Sequence, residues 1–136
     1  TPMPWQEGEQ AGFSQGQPWL PIPAEHRAIN VAAQDADPDS ILNQVRRFLG
    51  WRRSQPALRV GRIRFLDAPE PVLAFVRETE GAAMLVVFNL SPQPVAWELP
   101  AGLSPHPVDS HGLPSGTLQD GTLALPARGV YYAVIN

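Results

Sequence analysis

Residues 1–36 hold five prolines and three glycines, Pro2, Pro4, Pro18, Pro21 and Pro23 with Gly8, Gly12 and Gly16. This density constrains the fold more than any other feature of the chain. Each proline fixes φ and lacks an amide donor, and each glycine frees the backbone, so neither a long helix nor a paired strand is expected there and the stretch reads as loop. Disordered loops are poor in aromatic and branched apolar residues. This one carries Trp5, Phe13, Trp19, Leu20, Ile22, Ile29 and Val31. Burying each such side chain is worth about 1.5–3 kcal/mol, and a structureless loop of this length is uncommon in a compact domain. The apolar groups need a surface that the rest of the chain barely supplies. The expectation is a piece of a larger protein, beginning at a cut end with neither an initiator methionine nor a leader-like segment.

Length supports that expectation. The 136 residues suffice for one domain, which would bury roughly two thirds of its unfolded surface, but they are short for two. Composition is that of a globular protein, with 43% hydrophobic and 17% charged residues. No apolar run approaches the ~20 residues of a membrane span, so no membrane partner is expected. There is no cysteine, which removes disulfides and thiolate metal sites and accords with a cytoplasmic setting, a periplasmic one being the alternative. The net charge of −3 gives no general attraction to nucleic acid, and none is expected as a partner.

After the loop the pattern becomes periodic. In ADPDSILNQVRRFLGWRRSQP, Asp37 suits an N-cap, Pro38 a first helical position and Asp39 the positive end of the helix dipole. Ile41, Leu42, Val45, Phe48 and Leu49 recur at helical spacing, and Pro56 stops the helix beyond Gln55. From Arg62 the period shortens to two. Ile63 and Phe65 alternate with arginines, and PVLAFVRE, AAMLVVFNLS, PVAWELP, GTLQ, TLALP and GVYYAVIN follow, separated by turn residues. Glu80-Gly81 and Asp120-Gly121 are hairpin signals. The run Ala82 to Leu90 is apolar almost throughout, which calls for cover on both faces of its sheet. The fold class is mainly β: an antiparallel β-sandwich of about seven or eight strands behind a long loop and one helix.

Candidate chemical sites are few. Asp35, Asp37 and Asp39 alternate like calcium ligands, but Ser40 stands where such a loop needs glycine and Arg46 where it needs glutamate, so helix capping explains them better. His26, His106 and His111 are scattered, with no i, i+4 pair for zinc. Arg46, Arg47, Arg52 and Arg53 suit the later turns of a helix without any phosphate partner. Asn89-Leu90-Ser91 is a sequon on a buried-looking strand and is set aside. No serine sits in a nucleophile elbow, and no glycine-rich phosphate loop follows a strand. Trp5 and Trp19, in a proline-stiffened loop, could stack on sugar rings or serve as structural anchors.

Eight blocks, in order, are TPMPW at 1–5, AGFS at 11–14, PWLP at 18–21, INVAAQ at 29–34, DPDSILN at 37–43, RR at 52–53, PAL at 56–58 and VVFNLS at 86–91. They resemble the end of a bacterial α-glucosidase or oligo-1,6-glucosidase of glycoside hydrolase family 13, the α-amylase family. That resemblance implies a (β/α)8 catalytic barrel upstream, with residues 1–55 its last loop and helix and residues 56–136 the family's C-terminal β-sandwich. It implies retaining hydrolysis of an α-glucosidic bond by two carboxyl groups, both carried by the absent barrel, so no residue of this chain is assigned a catalytic role. The implied partners are that barrel and an α-glucan oligosaccharide substrate. No cofactor and no metal are implied. Met3 and Trp5 are the candidate substrate-binding residues, on the loop after the eighth barrel strand, where such barrels build their sites. Pro4 departs from the glutamine that many members carry. Two other readings stand beside this one. The first is a free-standing sandwich binding polysaccharide or protein, with Trp97, Tyr131 and Tyr132 as sugar contacts. The second, within the family, is a transglucosylating enzyme such as a trehalose synthase or sucrose isomerase.

Overall fold

A computed structural model describes residues 1–135. The chain divides into two compact units, Thr1–Leu49 and a second that begins at Gly50.

The first unit is loop to Pro23 and then helical, with α1 at Ala24–Ala28, α2 at Val31–Ala36 and α3 at Ile41–Ser54, inside which the unit boundary falls. The two short helices correct the expectation of loop through residue 36. Between Pro23 and Pro38 there is neither proline nor glycine, and the density of both residues upstream concealed this helix-permissive stretch. Asn30 caps α2 by accepting from the Ala33 amide at 2.9 Å. The start of α3 also lies later than expected. Ser40 is its cap: the Ser40 hydroxyl oxygen accepts from the Asn43 amide at 3.2 Å and its carbonyl from the Gln44 amide at 2.9 Å. Asp37 closes a local turn instead, its carboxylate accepting from the Asp39 amide at 2.9 Å. The two helices are then clasped by Asn43, whose side-chain amide donates to the carbonyls of Gln34 and Asp37 at 3.0 and 2.8 Å. The expected apolar stripe on α3 exists, but its outer residues Ile41, Val45 and Leu49 are exposed.

The second unit is the sandwich. Its eight strands are β1 Arg62–Phe65, β2 Val72–Thr79, β3 Ala82–Asn89, β4 Val95–Glu98, β5 Pro105–Pro107, β6 Thr117–Gln119, β7 Thr122–Leu125 and β8 Val130–Ile135, preceded by α4 at Pro56–Val60. They form a five-stranded sheet in the order β1-β2-β3-β8-β5 and a three-stranded sheet in the order β4-β7-β6, with every named pair antiparallel. Both expected hairpins are present. Glu80-Gly81 turns β2 into β3, with Thr79 facing Ala82. Asp120-Gly121 turns β6 into β7 with φ of 48° and 79°, the two positive values that suit a right-twisted two-residue hairpin.

Alternation along the strands builds the core. Val72, Ala74 and Val76 of β2, Leu85 and Val87 of β3, and Tyr131, Ala133 and Ile135 of β8 meet Trp97 of β4 and Leu123 and Leu125 of β7. The other residues of β3, Met84 and Val86, are buried on the opposite face, where α4 lies against β2 and β3 with Ala57 and Leu58 buried. The cover that the apolar run required is thus supplied from both sides. On that outer face a row of rings crosses the sheet, with Phe75 6.0 Å from Phe65, Phe88 6.2 Å from Phe75, Tyr132 6.1 Å from Phe88 and Trp51 5.3 Å from Tyr132. Strand β1 departs from expectation, since all four of its residues are exposed, Ile63 and Phe65 included. Among the described residues it is an edge strand paired with β2 alone, and its alternating arginines protect that edge from further pairing.

Candidate functional site

Met3 and Trp5 lie on the opening loop with their side chains about half exposed, at 48% and 52%. Pro2, next to Met3, is buried. The backbone around Trp5 is tightly held. The Trp5 amide donates to the Ala11 carbonyl at 2.8 Å, closing a short loop back on itself, and the Pro4 and Trp5 carbonyls accept from the Val31 and Ala32 amides, each at 2.9 Å. The first turn of any helix has amides with no partner inside the helix. In α2 these are satisfied by Pro4, Trp5 and the cap Asn30. The Trp5 backbone is thus held at both its N–H and its C=O, and its indole stands half exposed. Trp19, the other tryptophan of the loop, is 91% exposed.

Several other sequence candidates have structural roles. Asp35 pairs with Arg46, Asp37 closes its turn, and Arg47 donates to the Pro38 carbonyl at 2.6 Å. Among the described residues no group of three or more His, Asp or Glu side chains could hold a metal ion. Asn89 is buried, its side-chain amide donating to the Gln93 and Pro126 carbonyls at 2.6 and 2.9 Å. Both its protons are committed, so it ties loops together and does not present a glycosylation acceptor. Trp97, Tyr131 and Tyr132 are all buried and offer no face to a sugar. Burial pushes both phenols above their ordinary 10.0.

A cleft of about 890 Å³ belongs to the sandwich unit and is lined by Pro56, Ala57, Val60, Arg62, Glu78 and Glu80 among others. Among the described residues that line it none is aromatic, and Met3 and Trp5 are not among them. No helix among the described residues is long and apolar enough to cross a membrane.

Comparison with known proteins places the chain in a family. Residues 1–61 match the alpha amylase catalytic domain and residues 63–131 match the maltogenic amylase C-terminal domain. The chain belongs to the α-amylase family, glycoside hydrolase family 13. Over 133 residues it is 38% identical to a probable alpha-glucosidase of Rhizobium meliloti (strain 1021), an alignment covering 98% of this chain and 24% of that protein. It is 35% identical over 101 residues to a probable oligo-1,6-glucosidase 2 of Bacillus subtilis (strain 168), covering 74% of this chain and 18% of that one. The crystal structure of the alpha-glucosyl transfer enzyme XgtA superposes with a TM-score of 0.93 at 46% identity, over 100% of this chain and 25% of that chain. The chain therefore spans a quarter or less of the length of these relatives.

Sequence reasoning named Trp5 as a candidate but missed what holds its backbone. Asn30 and α2 carry that role, and the available signal was an asparagine directly ahead of Val31–Ala36, a stretch without helix breakers.

Proposed function

We propose that this chain is the C-terminal part of an α-glucosidase whose intact form hydrolyses terminal α-glucosidic bonds of maltose and short oligosaccharides with retention of configuration. In this reading residues 1–55 complete an upstream (β/α)8 barrel at its C-terminal face, and residues 56–136 form a sandwich domain that stabilises it. The nucleophilic carboxylate and the carboxylic acid that protonates the departing oxygen belong to the barrel, and this chain supplies neither. Its own contribution is a wall of the sugar-binding cleft made by Met3 and Trp5. The observation that carries the reading is the 38% identity to a probable alpha-glucosidase over an alignment that covers 98% of the chain and so includes both units. The uncovered apolar side chains of the first unit away from that wall, Phe13, Trp19 and Ile41 among them, support it, because an upstream barrel gives them something to pack against.

The test is kinetic. The 136-residue chain alone is expected to show no turnover of maltose or a chromogenic α-glucoside, and the full-length enzyme to release α-glucose. Replacing Trp5 by Ala in that enzyme is expected to raise KM about tenfold while leaving kcat close to its starting value, the pattern of an interaction made equally in ground and transition states. Enzyme-like turnover by the isolated chain would contradict the assignment.

A second reading, transfer of the glucosyl group to another sugar, is favoured by the 46% identity to an alpha-glucosyl transfer enzyme. Product analysis separates the two: hydrolysis turns both sugar units of maltose into free glucose with no new saccharide, while transfer frees only the departing glucose and leaves the other unit in a new disaccharide or a lengthened oligosaccharide. The reading as a free-standing sugar-binding sandwich loses its contacts, since Trp97, Tyr131 and Tyr132 are buried.

A further inference from the structure

We infer that Asn30 is a positioning residue that fixes Trp5 through the first turn of α2, an inference that rests on the reading of Trp5 as part of the sugar-facing wall. Asn30 is 1% exposed, although its neighbour Ile29 is 59% exposed. A buried asparagine in an otherwise open segment must have its amide satisfied, and this one does so at both ends. Its nitrogen donates to the Arg27 carbonyl of α1 at 2.7 Å, and its oxygen accepts from the Ala33 amide of α2 at 2.9 Å. The side chain therefore sets where α1 stops and where α2 starts. Its effect extends to the next two amides in the chain, those of Val31 and Ala32, which point away from α2 onto the Pro4 and Trp5 carbonyls at 2.9 Å each. Without the cap the first turn of α2 frays, and frayed amides no longer hold residues 4 and 5 in one place. The indole then samples several positions and its stacking on sugar weakens. Asn30 itself touches no substrate. It acts through Trp5.

The experiment is a double-mutant cycle in the full-length enzyme, with KM and kcat for maltose and the thermal midpoint measured for each variant. Asn30→Ala is expected to raise KM about fivefold with kcat nearly unchanged. Asn30→Ser, which keeps an oxygen at the cap, recovers most of that loss. Val31→Pro gives α2 a favoured first residue, yet removes the amide that holds the Pro4 carbonyl. It raises KM as Asn30→Ala does, with α2 intact. In a Trp5→Ala background neither Asn30→Ala nor Val31→Pro raises KM further. The inference is overturned if Asn30→Ala raises KM by the same factor with or without the indole, which is the signature of general destabilisation. It is equally overturned if Trp5→Ala raises KM and Asn30→Ala and Val31→Pro do not. If Trp5→Ala leaves KM unchanged, the wall reading itself fails and takes the inference with it, a result the single Trp5 variant identifies before the cycle is run.

Discussion

Two buried polar side chains meet opposite fates. The Asn89 amide is buried with all its hydrogen-bonding groups engaged, whereas the hydroxyl of Tyr131, in the sandwich core, is buried without a hydrogen-bond partner among the described residues. A buried hydroxyl left unpaired costs stability, and removing it returns that cost. Tyr131→Phe is thus expected to leave the unfolding free energy unchanged or raise it by about 1 kcal/mol in urea denaturation. The pH dependence follows the same residues. Because burial raises the Tyr131 and Tyr132 phenols above 10.0 in the folded state, the unfolded chain loses those protons first as pH rises. Their contribution is complete below about pH 10 and is lost as pH climbs through the raised folded values. Stability should fall above that point, with phenolate absorbance appearing together with unfolding, and the fall should be shallower in Tyr131→Phe. Trp5 was legible as a residue type in a stiff loop. Asn30 was not, because a single cap residue carries little signal amid surrounding prolines and glycines.

At the scale of elements, the strands were more legible than the helices. Alternation and hairpin residues marked β2, β3, β6, β7 and β8 because a pleated strand turns successive side chains to opposite faces, a pattern visible without any partner. Helix boundaries depended on competition between caps. Asp37 and Ser40 are both good N-cap residues, and Ser40 won because Asp37 is engaged in its own turn with Asp39. Helix α4 had only Pro56 to announce it, and its place on the sheet rests on Gly61. The Gly61 amide donates to the Ala57 carbonyl at 3.1 Å and its carbonyl accepts from Arg77 of β2 at 2.8 Å. A Cβ at this position would overlap the Ala57 carbonyl oxygen and sit 2.9 Å from that of Glu78. Both are backbone atoms that cannot swing aside. Gly61→Ala is expected to destabilise the sandwich by about 1–3 kcal/mol, the range for overpacking, measured as a lower thermal midpoint with the strand content of the folded state retained.

For the molecule as a whole, the telling observation is how unevenly the apolar residues are covered. In the second unit they close a core between two sheets. In the first, Trp19 is 91% and Ile41 74% exposed, with Val45 and Leu49 on the same side of α3. If a barrel packs on that stripe, Val45→Glu with Leu49→Glu should act in opposite senses in two settings. In the isolated chain the pair is expected to reduce aggregation in light scattering with little change in the thermal midpoint, since both positions face solvent. In the full-length enzyme the same pair should cost several kcal/mol, because two carboxylates would then lack both water and a partner. Equal midpoints in both settings would mean that α3 meets no upstream surface.

The sequence by itself determined the order of events along the chain: a broken-backbone loop rich in large apolar groups, an amphipathic helix, then strands of period two joined by tight turns. Each is a local consequence of dihedral freedom and side-chain spacing, and each needs only a few consecutive residues to be read. What only the tertiary structure decided is which apolar residues are covered and which stay open. The sequence treats Phe65 and Tyr131 alike as strand aromatics, yet one is exposed on an edge strand and the other fills the core. It likewise leaves both anchoring and display open to Trp5, whose half exposure only the fold reveals. Burial depends on residues distant in the chain arriving at the same place, and no short stretch of sequence contains that information.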